Sequence, residues 1–114
     1  MIAHVVLFRP RTNLSVEERH VLVDALANAI NNIPMIRRAH VGRRTVLGRQ
    51  YDNMNAQQFP YAAILEFDSE ADLRAYLDHP AHEKLGEQFY FTSDGALAFD
   101  FEMLEPDRAR ELLS

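Results

Sequence analysis

Two hydrophobic periodicities alternate along the chain, and their order predicts the secondary structure. Residues 2–8 are apolar at every position except His4, which is typical of a strand that is covered on both faces and central in its sheet. Ser15 and Glu18 form a capping box that begins a helix, and Pro34 ends it. Apolar residues recur in this helix at the spacing of one core-facing stripe, at Leu22, Leu26, Ala29 and Ile33.

The middle of the chain has a weaker pattern. Residues 36–47 predict a second strand with a bulge near Gly42, and many of its polar positions are arginines. Residues 48–58 are rich in Asn and Gln and predict a loop. Residues 61–67 then predict a third strand, because they combine aromatic and aliphatic residues.

The last third of the chain predicts two helices and a strand. Ser69 caps a helix that the His79–Pro80 step breaks, and the proline suits the first turn of the next helix. Asp94 and Gly95 predict a turn, after which residues 96–103 predict a fourth strand. One face of this strand carries Leu97, Phe99, Phe101 and Met103, and the other carries Ala96, Ala98, Asp100 and Glu102.

The order strand, helix, strand, strand, helix, strand predicts a ferredoxin-like α+β fold, in which two helices cover one face of a four-stranded antiparallel sheet. We expect the helices to cover the apolar face of the last strand, and the other sheet face to be half apolar and to need a partner. A homodimer that packs these faces together closes an α+β barrel with an enclosed interior. We expect the domain to span residues 1–105 and residues 106–114 to form a tail.

The amino-acid composition of the chain limits the kinds of molecule that we expect it to bind. A net charge of −5 argues against a nucleic-acid surface, and we interpret the arginines between residues 37 and 49 as a solvated or inter-subunit face. The chain has no cysteine, which excludes disulfides and thiolate chemistry and fits a reducing compartment. The first strand is too short to span a membrane. We therefore expect a cytoplasmic protein with no nucleic-acid or membrane partner.

Several segments together resemble the stress-responsive dimeric α+β barrel (Dabb) family. They are the opening IAHVVLFRP, the Ile33–Pro34 step before a glycine-containing strand, AYLDHPAH at 75–82 and the closing AFDFE. The resemblance spans residues 1–103 and implies dimers of ferredoxin-like protomers. Many members of the family have no assigned activity. One branch resembles the plant olivetolic acid cyclase, which performs an aldol cyclisation without a cofactor.

The resemblance to that branch implies catalytic roles for Tyr76, His82 and His4. An imidazole titrates near neutral pH, so His82 can remove a proton next to a carbonyl while Tyr76 donates a hydrogen bond to the enolate oxygen. His4 can orient the base or hold a substrate hydroxyl. These roles need neither a metal nor a cofactor. We expect the three side chains to point into a cavity at the inner sheet face of the barrel.

Other interpretations of the same residues stay open. His4 also fits a buried histidine with a satisfied hydrogen bond, Tyr76 fits a core aromatic residue, and His79 fits a helix cap. A metal site at His79, His82 and Glu83 has weak support, because the spacing matches no zinc signature. Three further acids on strands fit acid–base chemistry less well than solvent or dimer contacts: Glu66, Asp100 and Glu102.

Three functions from different classes remain. The first is a cofactor-independent cyclase, isomerase or monooxygenase that binds a small aromatic or polyketide-like molecule in the barrel. The second is a ligand-binding or stress-associated dimer without catalysis. The third is a structural dimerisation module whose barrel is filled by side chains. A cavity separates the first two from the third, and the direction of the His82 side chain separates the first from the second.

Overall fold

The structure is a computed structural model that describes residues 1–113. Its elements follow the predicted order, with one short helix added between the second and third strands. They are β1 (Ile2–Pro10), α1 (Val16–Asn32), β2 (Arg38–Arg43), α2 (Gln50–Met54), β3 (Tyr61–Phe67), α3 (Glu70–Asp78), α4 (Pro80–Thr92), β4 (Ser93–Glu102) and a 3₁₀ helix (Pro106–Leu112).

The four strands form one antiparallel sheet in the order β2-β3-β1-β4. The prediction that the first strand is central is confirmed, because β1 pairs with both β3 and β4. β2 and β4 are the two edges of the sheet. The helices and the sheet together confirm the ferredoxin-like α+β fold that the order of elements predicted.

The helix boundaries arise from local side-chain chemistry. The Ser15 hydroxyl accepts from the backbone N–H of Glu18 at 3.1 Å, and the Glu18 carboxylate accepts from the backbone N–H of Ser15 at 3.0 Å. These two bonds complete the predicted capping box of α1. At the junction of α3 and α4, His79 Nδ1 accepts from the N–H of Ala81 at 3.0 Å. His79 is therefore the N-cap of α4, which confirms its structural interpretation.

The core lies between the sheet and its helices. From the sheet it contains alternate residues of β3, which are Ala63, Leu65 and Phe67. α1 contributes Ala29, and Ile33 at its end is buried beside it. Leu22 and Leu26 pack against this cluster, so the predicted stripe of α1 is confirmed. The remaining buried members come from α3 and α4 and are Leu73, Tyr76, Ala81 and Leu85.

The prediction for the two faces of β4 is wrong. The pairing register places Phe99 opposite Val5 and Asp100 opposite His4. Because the His4 side of β1 faces the helices, Asp100 shares the helix side and Phe99 lies on the other face of the sheet. The apolar residues of β4 are accordingly exposed: Leu97, Phe99, Phe101 and, beyond the strand, Met103. The helix side of β4 is also exposed at Ala96, Ala98 and Asp100.

Three smaller predictions in the strands and loops also differ from the structure. β2 keeps a regular register through Gly42, and the sheet has its irregularity in β1, between Arg9 and Pro10. The predicted loop 48–58 contains α2, where the Asp52 carboxylate accepts from the N–H of Arg49 at 2.9 Å. Asp94 and Gly95 belong to β4, because α4 runs directly into that strand. Within residues 1–113, no helix has the length and apolar character needed to cross a membrane.

Candidate active site

The structure brings His4, Tyr76 and His82 together on the helix side of the sheet. His4 comes from the middle of β1, Tyr76 from the last turn of α3, and His82 from the first turn of α4. The ring centroid of Tyr76 lies 5.9 Å from that of His4 and 4.7 Å from that of His82, both in edge-to-face geometry. The phenol therefore stands between two imidazoles that are 78 residues apart in the chain, from position 4 to position 82.

Asp100 belongs to the same cluster, although its position in the sequence fitted a solvent or dimer contact better than acid–base chemistry. His4 Nδ1 lies 2.6 Å from the Asp100 carboxylate, and the two residues are direct cross-strand neighbours on β1 and β4. An ionised carboxylate only accepts, so Nδ1 of His4 carries the proton and donates it. Nε2 of a neutral His4 ring is then the free acceptor. The His4 side chain is 10% exposed and that of Asp100 is 47% exposed, so this hydrogen bond links a buried side chain to a half-exposed one.

Near neutral pH, burial favours the protonated form of Tyr76 and the unprotonated form of His82. Desolvation raises the pKa of Tyr76 from 10.0 to about 12, so the phenol keeps its proton. Burial also lowers the pKa of His82 below 6.5; a hydrogen bond with the Leu77 backbone opposes this shift, and nearby His4 adds to it. His82 is therefore a free base beside a protonated phenol. This pair combines a proton acceptor with a hydrogen-bond donor.

The expectation that these side chains point into the space between two sheets is wrong. They lie under α3 and α4, whereas the face that is free to meet a second sheet carries Val5 and Phe99. A cleft of about 350 Å³ is lined by Asp100 but by none of His4, Tyr76 and His82. Its other walls are Ile2, Leu73, Leu77, Phe101, Glu102 and the pair Glu70–Arg74. A larger cavity of about 590 Å³ lies at the other face of the sheet, away from the cluster.

The metal alternative receives no support from the geometry. Within residues 1–113, no three histidine or acidic side chains are grouped so that they can hold a metal ion. His79 uses its Nδ1 to cap α4 and so is not free at that atom. Glu66 does not join the site, because it is the cross-strand neighbour of Ala3 on the other face of the sheet and lies 3.8 Å from the Arg38 guanidinium. Glu102 is exposed and lines the cleft beside Asp100.

The chain therefore folds as a ferredoxin-like domain in which the helices cover one face of the sheet, while the other face is bare and carries exposed apolar residues. The family model described as "Stress responsive A/B Barrel Domain" (Dabb) matches residues 2–103. The chain belongs to this family. No curated protein matches it in sequence.

Several solved structures share the fold. The At3g17210 protein of Arabidopsis thaliana is 23% identical with a TM-score of 0.76, over 92% of this chain and 97% of that one. A hydroxynitrile lyase of Passiflora edulis is 21% identical with a TM-score of 0.75, over 91% and 94%. A dimeric ferredoxin-like protein of unknown function from Bacteroides fragilis is 27% identical with a TM-score of 0.63, over 90% and 95%.

Proposed function

We propose that the chain is a homodimeric enzyme that performs acid–base chemistry without a cofactor on a small aromatic or polyketide-like carbonyl compound. His82 is the base, Tyr76 is the hydrogen-bond donor, and His4 is held by Asp100. The observation that carries the proposal is the pair formed by Tyr76 and His82, whose rings are 4.7 Å apart and whose burial-shifted pKa values give one proton acceptor and one donor at neutral pH.

The proposed chemical step is a proton transfer. The His82 imidazole removes a proton from the carbon next to the carbonyl, and the electron pair moves onto the carbonyl oxygen. Tyr76 stabilises that oxygen with a hydrogen bond while its charge develops. In a cyclisation, the enolate carbon then attacks a second carbonyl, whose oxygen takes a proton; in an isomerisation, the proton returns to another carbon. The cleft beside Asp100 is the proposed entrance for the substrate.

The homodimer is supported by the bare face of the sheet and by relatives described as dimeric ferredoxin-like proteins. We also propose a cytoplasmic location, which a chain without cysteine fits. The alternative proposal is a ligand-binding or stress-associated dimer that catalyses nothing. It is supported by relatives whose function is described as unknown.

A substrate panel tests the proposal. Aryl methyl ketones in D₂O report proton removal as deuterium exchange by NMR, and aromatic β-diketo acids report cyclisation as a new ring product. Mandelonitrile is included because a hydroxynitrile lyase shares the fold, and its cleavage would give benzaldehyde and HCN. Turnover that His82→Ala removes supports the enzyme. Binding in saturation-transfer NMR without any turnover across the panel favours the alternative, and neither binding nor turnover contradicts both.

The pH dependence of the reaction follows from the two shifted groups. Because the base form of His82 is active and its pKa lies below 6.5, we expect kcat/KM to rise with pH, to be half-maximal below pH 6.5, and to be at its plateau by about pH 8. Because the pKa of Tyr76 is about 12, the plateau should extend past pH 10.0, where an ordinary tyrosine would already be half ionised. A profile that is half-maximal above pH 6.5 would contradict this assignment.

Asp100→Asn tests whether the carboxylate positions His4. An amide removes the charge and weakens the bond to Nδ1, so we expect kcat to fall by about tenfold, the effect of losing one charge-assisted hydrogen bond. The specific readout is the ¹⁵N NMR spectrum of His4, in which the Nδ1–H tautomer should lose its dominance. Asp107→Asn is the matched control, since Asp107 is an exposed acid on the 3₁₀ helix and does not line the cleft. An unchanged tautomer in Asp100→Asn would remove the positioning role.

A further inference from the structure

The cleft beside Asp100 lies between one face of α3 and the end of the edge strand β4. Its α3 wall consists of residues spaced three or four apart, which share one helix face: Glu70, Leu73, Arg74 and Leu77. Its opposite wall is formed by residues 100–102 of β4 and by Ile2 of β1. Among these, only Phe101 has its side chain on the bare face of the sheet, so the cleft does not depend on the surface that we assign to a second copy.

The cleft carries more negative than positive charge. Glu70 and Arg74 compensate each other, because the Arg74 guanidinium donates to the Glu70 carboxylate at 2.7 and 3.2 Å. The Asp100 carboxylate accepts from His4 Nδ1 at 2.6 Å, and at about pH 8 an ordinary imidazole is uncharged. Glu102 is exposed and, within residues 1–113, makes no hydrogen bond or ion pair. The carboxylates of Asp100 and Glu102 therefore line the cleft without a cation that balances them.

Apolar side chains form the rest of the cleft, namely Ile2, Leu73, Leu77 and Phe101. Low-dielectric walls concentrate the field of nearby charges, so the two carboxylates act more strongly on a group in the cleft than they would across open water. An anion that enters gives up part of its hydration beside two like charges, which is unfavourable. A neutral molecule avoids this repulsion, and an ammonium group is attracted.

Two residues of the cleft also adjoin the acid–base cluster. Asp100 accepts the hydrogen bond of His4, and the Leu77 backbone is hydrogen-bonded to His82. Leu77 also follows Tyr76 directly in α3. A compound in the cleft therefore contacts residues that are hydrogen-bonded to both histidines.

We propose that Asp100 and Glu102 make this cleft selective for neutral and cationic carbonyl compounds over carboxylates, and that Glu102 is a specificity-determining residue. The inference rests on the proposed function, because it takes the cleft as the entrance to the acid–base cluster. Glu102 sets the selectivity because its charge is uncompensated, whereas Asp100 is held by His4. Within the proposed substrate class, ketones and esters are therefore preferred to free acids, and the aromatic β-diketo acids are the disfavoured members of the substrate panel.

Three aryl methyl ketones that differ only in the para substituent test the selectivity: acetophenone, 4-acetylbenzoate and 4-(aminomethyl)acetophenone. NMR in D₂O at about pD 8 and low ionic strength measures deuterium exchange of the methyl group. Each kcat/KM is divided by the exchange rate constant of the same compound in buffer, which removes the effect of the substituent on acidity. We expect acetophenone to exceed 4-acetylbenzoate by about tenfold, or roughly threefold per carboxylate, and the amine to react at least as fast as acetophenone.

Glu102→Gln should lower the ratio of acetophenone to 4-acetylbenzoate by about threefold, because it removes one of the two negative charges. Added salt should lower the ratio in the unaltered chain, because it screens both charges. Glu87→Gln is the matched control, because it removes the same charge from an exposed residue of α4 that does not line the cleft. This control should leave the ratio unchanged.

An unchanged ratio in Glu102→Gln, or a ratio at or below one in the unaltered chain, would overturn the proposal. Failure of the proposed function has a different result, which is that no compound exchanges or that His82→Ala leaves the exchange unchanged. Saturation-transfer NMR then decides the selectivity by binding alone. Weaker binding of 4-acetylbenzoate than of acetophenone, with a difference that Glu102→Gln reduces, supports the selectivity of the cleft. Equal binding of the three compounds, or no binding, overturns it.

Discussion

His82→Ala is expected to lower the rate of the proposed proton transfer by about 10²- to 10⁴-fold, which is the usual contribution of a positioned general base. The imidazole is half-buried at the first turn of α4, and no other histidine contacts the Tyr76 ring from that side. His4 approaches the same ring from β1, but its Nδ1 is bound to Asp100. The measurement is single-turnover kinetics on whichever panel compound reacts fastest.

The matched control for His82→Ala is His20→Ala, because His20 is an exposed histidine on α1 away from the cluster. His20→Ala should leave the rate unchanged. Tyr76→Phe separates the two roles at the site, because it keeps the ring between the imidazoles and removes only the hydroxyl donor. If His82→Ala retains full turnover while its melting temperature is unchanged, the base is another group and the assignment to His82 is wrong.

The fold could be predicted because its main signals are local in sequence. The capping box of α1 involves residues 15 and 18 alone, and the break between α3 and α4 follows from the His79–Pro80 step. Continuous apolar character marked β1 as central, and the sheet order confirms it. The short helix α2 was missed, because its Asp52 caps it in a stretch whose composition resembles a loop.

The candidate site could be predicted only in part, because its contacts are distant in sequence. His4 and Asp100 are 96 residues apart, and only the register between β1 and β4 makes them neighbours. A shift of that register by one residue would exchange the two faces of β4. The pattern of alternation showed that Phe99 and Asp100 lie on opposite faces, but it did not show which face meets the helices. The resemblance to the family supplied Tyr76 and His82, and the structure adds Asp100.

The second prediction with a large expected effect concerns dimerisation through the bare face of the sheet. Phe99 and Phe101 are 53% and 50% exposed in the single chain, with ring centroids 6.3 Å apart. Ile64 of β3 and Val5 of β1 extend this surface across the sheet, and Arg38 with Glu66 borders it at the β2 side. An exposed apolar patch with a polar border is typical of a protein–protein interface. The partner that we propose for this face is a second copy of the same chain, because relatives with this fold are described as dimeric ferredoxin-like proteins.

Phe99→Glu is therefore expected to convert the proposed homodimer into a monomer. A two-fold axis places the substitution in the interface twice, and a loss of about 2 kcal/mol at each copy raises the dissociation constant by roughly a thousandfold. Sedimentation velocity across a concentration series measures this shift. Tyr90→Glu is the matched control, because Tyr90 is an 89% exposed aromatic residue on α4, on the helix side of the molecule. Because the acid–base cluster lies entirely within one chain, a folded Phe99→Glu monomer should keep the His82-dependent chemistry, and loss of that chemistry in the monomer would show that the site depends on the dimer.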